Sequence, residues 1–493
     1  MEKTIKVEFR RYYKNNSKGK NHMGEKSAVL GLIVGNREFF PDELAVEGGK
    51  EVLEKLEDQG YEVVTRFSRE TGEGIVDSRE DSKDYSELFR EKERELDGIL
   101  VTLPNFGDEK SIAEIFKLGD LDVPVLVHAF ADEVEKMERE HRRDSFCGKI
   151  SVCNNLNQYG VPFTSTQKHV EDPDSEEFEE DLASFGRIGR AVNGLREARL
   201  GVVGVRPNAF QTVRYSEKIL EGEGISVEKM GLMEIVNLAR DIDEDEPQVQ
   251  DELDKIEKYF SVQEEMSEED VVRTGKLTAV LSQWIEENEL DAISLQCWPA
   301  IEEYYGITPC GAMSLLTETT SPSACEVDVT GSLAMYALQL SSERPPAIVD
   351  LNNNYGKDPN KFVAFHCSNF PPSFFVDGKC NLGFHEMQGV YGSCEGRIAS
   401  GPATFLRIST DDQQGKIRSY IAEGKFTEDE LETFGGYGVV EIEGLQSLMD
   451  YIVKEGFEHH AAVVNDRVGD ILEEALENYL GWEVHRHQPS AQE

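Results

Sequence analysis

Short apolar runs alternating with stretches of helical periodicity organise the first two thirds of the chain. The run SAVLGLIVG, residues 27–35, predicts a buried strand, and residues 42–60 repeat apolar positions every three or four residues, which predicts a helix after it. Residues 61–67, 96–103 and 123–130 predict three more strands. Strands separated by helices imply a parallel sheet covered on both faces, the pattern of a doubly wound α/β unit. An acidic polar stretch, residues 165–187, then predicts an exposed helix or connector. The pattern restarts with strands at 198–207, 225–230 and 291–299, a helix over 209–224 and a long charged helical stretch near 246–288. From residue 346 onward Gly, Pro and β-formers dominate (361–375, 389–410, 415–426), which predicts a mostly β, barrel-like region closed by one helix at 468–481. The expected division is therefore an N-terminal α/β domain (1–168), a second α/β domain (169–345) and a C-terminal mostly β domain with a terminal helix (346–493).

Charge narrows the partners. With 96 acidic against 51 basic residues the net charge is −45, which argues against nucleic acid or an anionic membrane surface. The acids are spread along the chain, a distribution that fits a salt-adapted solvation shell better than one acidic interaction surface. No apolar run is long enough to span a bilayer, and residues 1–26 lack the apolar core of a secretory signal, so a cytoplasmic protein is expected. Eight cysteines form no CxxC pair and several lie in apolar segments, which reads as reduced, packed thiols without disulfides or a zinc site.

Phosphate-loop, HExxH and GxSxG motifs are missing, and LGVVGVRP fails the dinucleotide fingerprint. Ligands of doubly wound sheets gather beyond the carboxyl ends of strands. The polar residues in such positions are Glu326 after SPSAC, Asp350 after PPAIV, His366 after KFVAF, and the doublet His459-His460 in GFEHHAAVV. Asp328 fits the cap of the helix that follows it, and Asp350, before three asparagines, equally fits an Asx turn. Together, two carboxylates and one or two imidazoles form an oxygen-rich set suited to Mn²⁺, with Mg²⁺ or Co²⁺ as substitutes.

The segment QCWPAIEEYYGITPCGAMSLLTETTSPSACEVDVTGSLAMYAL, followed by IVDLNNN, FHCSN, GPATFLRIS and FEHHAAV, resembles the L-fucose/L-arabinose isomerase superfamily, most closely its fucose-isomerase-like branch. The resemblance implies two Rossmann-like domains before a β-barrel-containing domain, and an aldose–ketose isomerase acting on a pentose, a 6-deoxyhexose or a related modified sugar. It implies Glu326 and Asp350 as acid–base groups and ligands of Mn²⁺. It adds a late histidine ligand, His460 or its neighbour His459, and His366 as a further ligand of the arabinose branch. It also implies trimers or hexamers whose active site is completed by a neighbouring subunit, with HRRDSFCGK or the region of His128 as the contribution in trans. A non-catalytic sugar-binding protein on the same fold, and a metal-dependent epimerase or lyase, are the alternatives.

Overall fold

The computed structural model describes residues 28–367 and 369–489; the segment read above for a secretory signal, residues 1–26, lies outside them. Strands β1 (Val29–Val34), β2 (Glu62–Val64), β3 (Gly98–Leu103), β4 (Val125–Ala129) and β5 (Thr164–Ser165) form one parallel sheet in the order β2-β1-β3-β4-β5. Every residue of β3 and β4 is buried, as expected for strands covered on both faces. The next region supplies β6 (Arg199–Val203), β7 (Ser226–Met230), β8 (Phe260–Val262), β9 (Ala292–Leu295) and β10 (Ser323–Cys325). Four of these make a second parallel sheet, β10-β9-β6-β7.

The remaining strands are β11 (Ala347–Asn354), β12 (Lys361–His366), β13 (Cys380–His385), β14 (Val390–Arg397), β15 (Gly401–Asp411), β16 (Lys416–Phe426), β17 (Gly436–Glu441), β18 (His460–Val464) and β19 (Glu483–Arg486). Six of them run β16-β15-β18-β11-β12-β17, and pairing of Lys425 with Glu441 and Phe426 with Val440 joins β16 to β17 and closes a barrel. Closure removes the sheet edges that an open antiparallel sheet would expose. The helix Val329–Ser342 is apolar on nearly all sides and is buried almost throughout. Its Leu333 and Ala337 share one core with Ala324 of β10, Ile348 of β11, Leu406 of β15 and Ala462 of β18. This helix fixes the carboxyl end of β10 against one end of the barrel.

Four expectations are corrected. The acidic stretch before residue 190 is not a bare connector: the helix Glu176–Arg196 buries Phe178, Leu182 and Phe185 in the first unit and Ala191, Val192 and Leu195 in the second. Its apolar residues recur at helical spacing beneath the acids. The charged stretch near 246–288 is two helices, Pro247–Tyr259 and Glu268–Glu287, interrupted by β8, which pairs with β13. A helix at Leu445–Glu455 lies inside the mostly β region, with Leu445, Leu448 and Ile452 inward. Cys380 and Cys394 form a disulfide, because the β13–β14 hairpin brings their Cα atoms to 5.8 Å; the other six cysteines are unbridged. The terminal helix is present as Gly469–Glu473 continued by a π-turn at Glu474–Tyr479. Tyr479 there hydrogen-bonds the backbone of Val125 and ties the C-terminus to the first sheet. Among the described residues no helix is long and apolar enough to cross a membrane.

Candidate active site

After β10 the chain turns through two successive left-handed residues, Glu326 (φ 60°) and Val327 (φ 57°). Non-glycine residues in this region cost about 1–3 kcal/mol each, and a β-branched valine is the less tolerant of the two. Bonds from the Val327 amide to the Leu295 carbonyl (3.3 Å) and from the Asp328 amide to that of Cys325 (3.0 Å) hold the turn. The Trp298 indole N–H donates to Glu326 Oε1 at 3.0 Å.

The barrel brings up the other carboxylate and the imidazole. Asp350 of β11 lies directly opposite His460 of β18 in the antiparallel register. His460 Nε2 is 3.1 Å from Glu326 Oε2 and 3.4 Å from Asp350 Oδ1. All three atoms are buried and none has a hydrogen-bond partner. Buried polar atoms are almost always satisfied, so three that converge on one point fit a divalent cation. Oxygen, oxygen and imidazole nitrogen are suitable donors for Mn²⁺, Mg²⁺ or Co²⁺.

His460 is oriented from behind. Its Nδ1 donates to Asp328 Oδ2 at 2.9 Å, leaving Nε2 for the convergence point, the arrangement in which a carboxylate fixes the tautomer of a metal-ligating histidine. Asp328 also accepts from the Gly331 amide as helix cap and receives two bonds from Arg407, 2.6 and 3.0 Å. Arg407 is fully buried and lies 3.1 Å from Glu458, which accepts a bond from Ser409. Burial opposes the Asp328 charge, but Arg407 and His460 more than offset it, so the carboxyl is held well below the usual range. Burial also opposes charge on His460, while the Asp328 bond at Nδ1 and the neighbouring Glu326 and Asp350 carboxylates push it up to about 10 in the absence of a cation, whose charge would favour the neutral ring. The Asp328→Asn variant is expected to weaken the affinity for Mn²⁺ by about 10–100-fold, the usual effect of losing such a partner, read by metal titration; an unchanged affinity would remove the orienting role.

The structure thus gathers Glu326, Asp350 and His460. His366 stands beside them: donor atoms of Asp350, His366 and His460 lie within 4.8 Å of one another, but its Nε2 is also 3.2 Å from Cys325 Sγ. His459 reaches Asp350 Oδ1 at 3.4 Å with its side chain 45 % exposed, whereas His460 lies within 3.4 Å of both carboxylates. His128 itself is fully buried between Thr102, the Glu171 carbonyl and Phe178, and burial lowers its pKa to about 3. Sequence reasoning did not find Trp298, Arg407 or Phe210, whose ring lies 5.6 and 5.7 Å from those of His459 and His460. The orienting role of Asp328 also carried no local signal beyond its capping position.

Comparison with known proteins sets this geometry in a family. The model of the fucose/sulfoquinovose isomerase N-terminal domain matches residues 31–196, and that of the L-fucose isomerase C-terminal domain matches residues 364–488. The chain belongs to the fucose-isomerase-like family. A sulfoquinovose isomerase of Priestia aryabhattai is 25 % identical over 412 residues, covering 82 % of this chain and 88 % of that one. One of Alkalicoccus urumqiensis is 27 % identical, over 62 % of this chain and 68 % of its own. This fucose-isomerase-like chain is an aldose–ketose isomerase. His366 and His460 fall within the second matched stretch, whereas Glu326 and Asp350 fall between the two.

Proposed function

We propose that the chain is a divalent-metal-dependent ketol-isomerase acting through an enediolate, with sulfoquinovose, an aldose bearing a sulfonate, as the substrate to test first. The observation that carries the metal is the convergence of the partnerless Glu326 Oε2, Asp350 Oδ1 and His460 Nε2. A Mn²⁺ ion on those atoms, with Mg²⁺ or Co²⁺ as substitutes, would stabilise the negative charge that grows on O1 and O2 as the C2 proton leaves. His366 is the reserve ligand. Glu326, fixed through Oε1 by Trp298, and Asp350, whose side chain is 23 % exposed, serve as the acid–base pair that moves the C2 and hydroxyl protons.

The names of the relatives support an anionic sugar. So does a cleft of about 600 Å³ beside Val327, whose lining carries three arginines, Arg206, Arg214 and Arg418, against two acids, Asp412 and Glu458. Arg206 donates to the carbonyl of Phe210, whose ring packs on His460, so cleft and triad share a wall.

The same reading takes residues 1–168 and 169–345 as Rossmann-like domains, on their parallel strand orders, and 346–493 as the barrel domain. It takes the enzyme as a trimer or hexamer with the site at a subunit interface, supported by exposed Phe39, Val134, Met137, Phe146 and Ile150 in the first unit. A cytoplasmic location has the six unbridged cysteines in its favour and the Cys380–Cys394 disulfide against it. The test is a panel of aldoses and ketoses, sulfoquinovose included, incubated with Mn²⁺ and followed for product. Turnover of sulfoquinovose is expected. Binding without any reaction would favour a sugar-binding protein, and proton exchange at C2 without ketose would favour an epimerase or lyase.

A further inference from the structure

Four of the unbridged cysteines, Cys297, Cys310, Cys325 and Cys367, form a chain of thiols in contact next to the carboxylate site. At one end of this chain, donor atoms of Cys310, Cys367 and His385 lie within 4.8 Å of one another. The three come from different elements: Cys310 opens the helix Cys310–Thr319, Cys367 follows β12 and His385 ends β13. Oε2 of Glu302, from the helix Ala300–Tyr305, is also buried without a hydrogen-bond partner, but it lies outside this group of three donors.

We propose that Cys310, Cys367 and His385 form a second metal site that takes a thiolate-preferring divalent cation such as Zn²⁺, with the fourth position left to a water. Two sulfurs and one imidazole nitrogen, completed by a water, make a four-coordinate set of the kind zinc accepts, and one that Mn²⁺ and Mg²⁺ do not prefer. The helix N-terminus at Cys310 favours the thiolate. Binding Zn²⁺ displaces one proton from each thiol, so two protons leave as two Zn–S bonds form. At His385, the Gln388 amide approaches Nδ1 at 3.3 Å but is shared with the His385 carbonyl at 3.2 Å. That carbonyl can keep the amide satisfied when Nδ1 carries the proton and Nε2 faces the metal. The site is chemically distinct from the Glu326–Asp350–His460 triad, yet adjoins it through His366, whose Nδ1 is 3.5 Å from Cys367 Sγ.

Co²⁺ is the probe, because thiolate ligands give it intense sulfur-to-metal charge-transfer absorption that carboxylates and imidazoles alone do not. Full-length protein loaded with Co²⁺ should show this absorption with about two thiolates per chain. Cys310→Ser and Cys367→Ser should each reduce it by half or more, and His385→Gln should shift its position, with circular dichroism confirming the native fold in each. Glu326→Gln should leave it intact, which separates failure of this site from failure of the catalytic one. No charge-transfer absorption in the Co²⁺-loaded parent, absorption unchanged in Cys310→Ser and Cys367→Ser, or a Cys310–Cys367 disulfide in peptide mapping would overturn the proposal.

Discussion

Glu326→Gln is expected to leave a folded protein whose turnover is lower by about 10³-fold or more, the scale on which a positioned acid–base carboxylate acts. The amide keeps the shape of the side chain and can still accept the Trp298 N–H at the position of Oε1. It removes the negative charge from the atom that faces His460 Nε2 at 3.1 Å, and with it the proposed proton carrier and metal ligand. The comparison is kcat for the two proteins at saturating Mn²⁺, alongside their melting temperatures. A variant that melts much lower but turns over normally would make Glu326 a structural residue of the left-handed turn.

Arg407→Met is expected to destabilise the fold by about 3–5 kcal/mol, the range for removing one partner of a buried ion pair and leaving the other charge uncompensated. Here two carboxylates, Asp328 and Glu458, would be left buried beside a methionine. The midpoint of urea unfolding reads the loss. Because Asp328 also holds His460, a double-mutant cycle with Asp328→Asn should show strong coupling between the two positions. Additive effects, or an Arg407→Met loss below about 1 kcal/mol, would mean that the Asp328–Arg407 pair does not carry the barrel end.

Much of the parallel architecture was legible because fully buried strands leave nearly continuous apolar runs, broken in β3, β4 and β9 only by Thr102, His128 and Ser294. The division of labour among the acids was partly legible. Asp328 could be read as a cap from its place before the helix Val329–Ser342, and that is where its side chain sits. Its second bond, to His460, joins residues far apart in sequence, and only the barrel's closure creates it. Arg407 was invisible for a related reason: an arginine in the middle of β15 looks like any outward-facing strand residue until the opposing helix cap and Glu458 surround it. The acidic helix Glu176–Arg196 misled because its composition is that of a surface, while Phe178, Leu182 and Phe185 still trace a buried stripe. The Cys380–Cys394 bridge depends on hairpin register, which cysteine spacing alone does not reveal.

The central claim is that Glu326, Asp350 and His460 hold a divalent cation that the reaction requires. It is tested most directly by following solvent deuterium into C2 of sulfoquinovose by NMR, with chelator-stripped protein and with the same protein after Mn²⁺ is restored. Deuterium incorporation together with ketose, found only in the Mn²⁺-restored sample, is the predicted result. Equal exchange and equal ketose from the stripped protein, shown by elemental analysis to be free of metal, would contradict it.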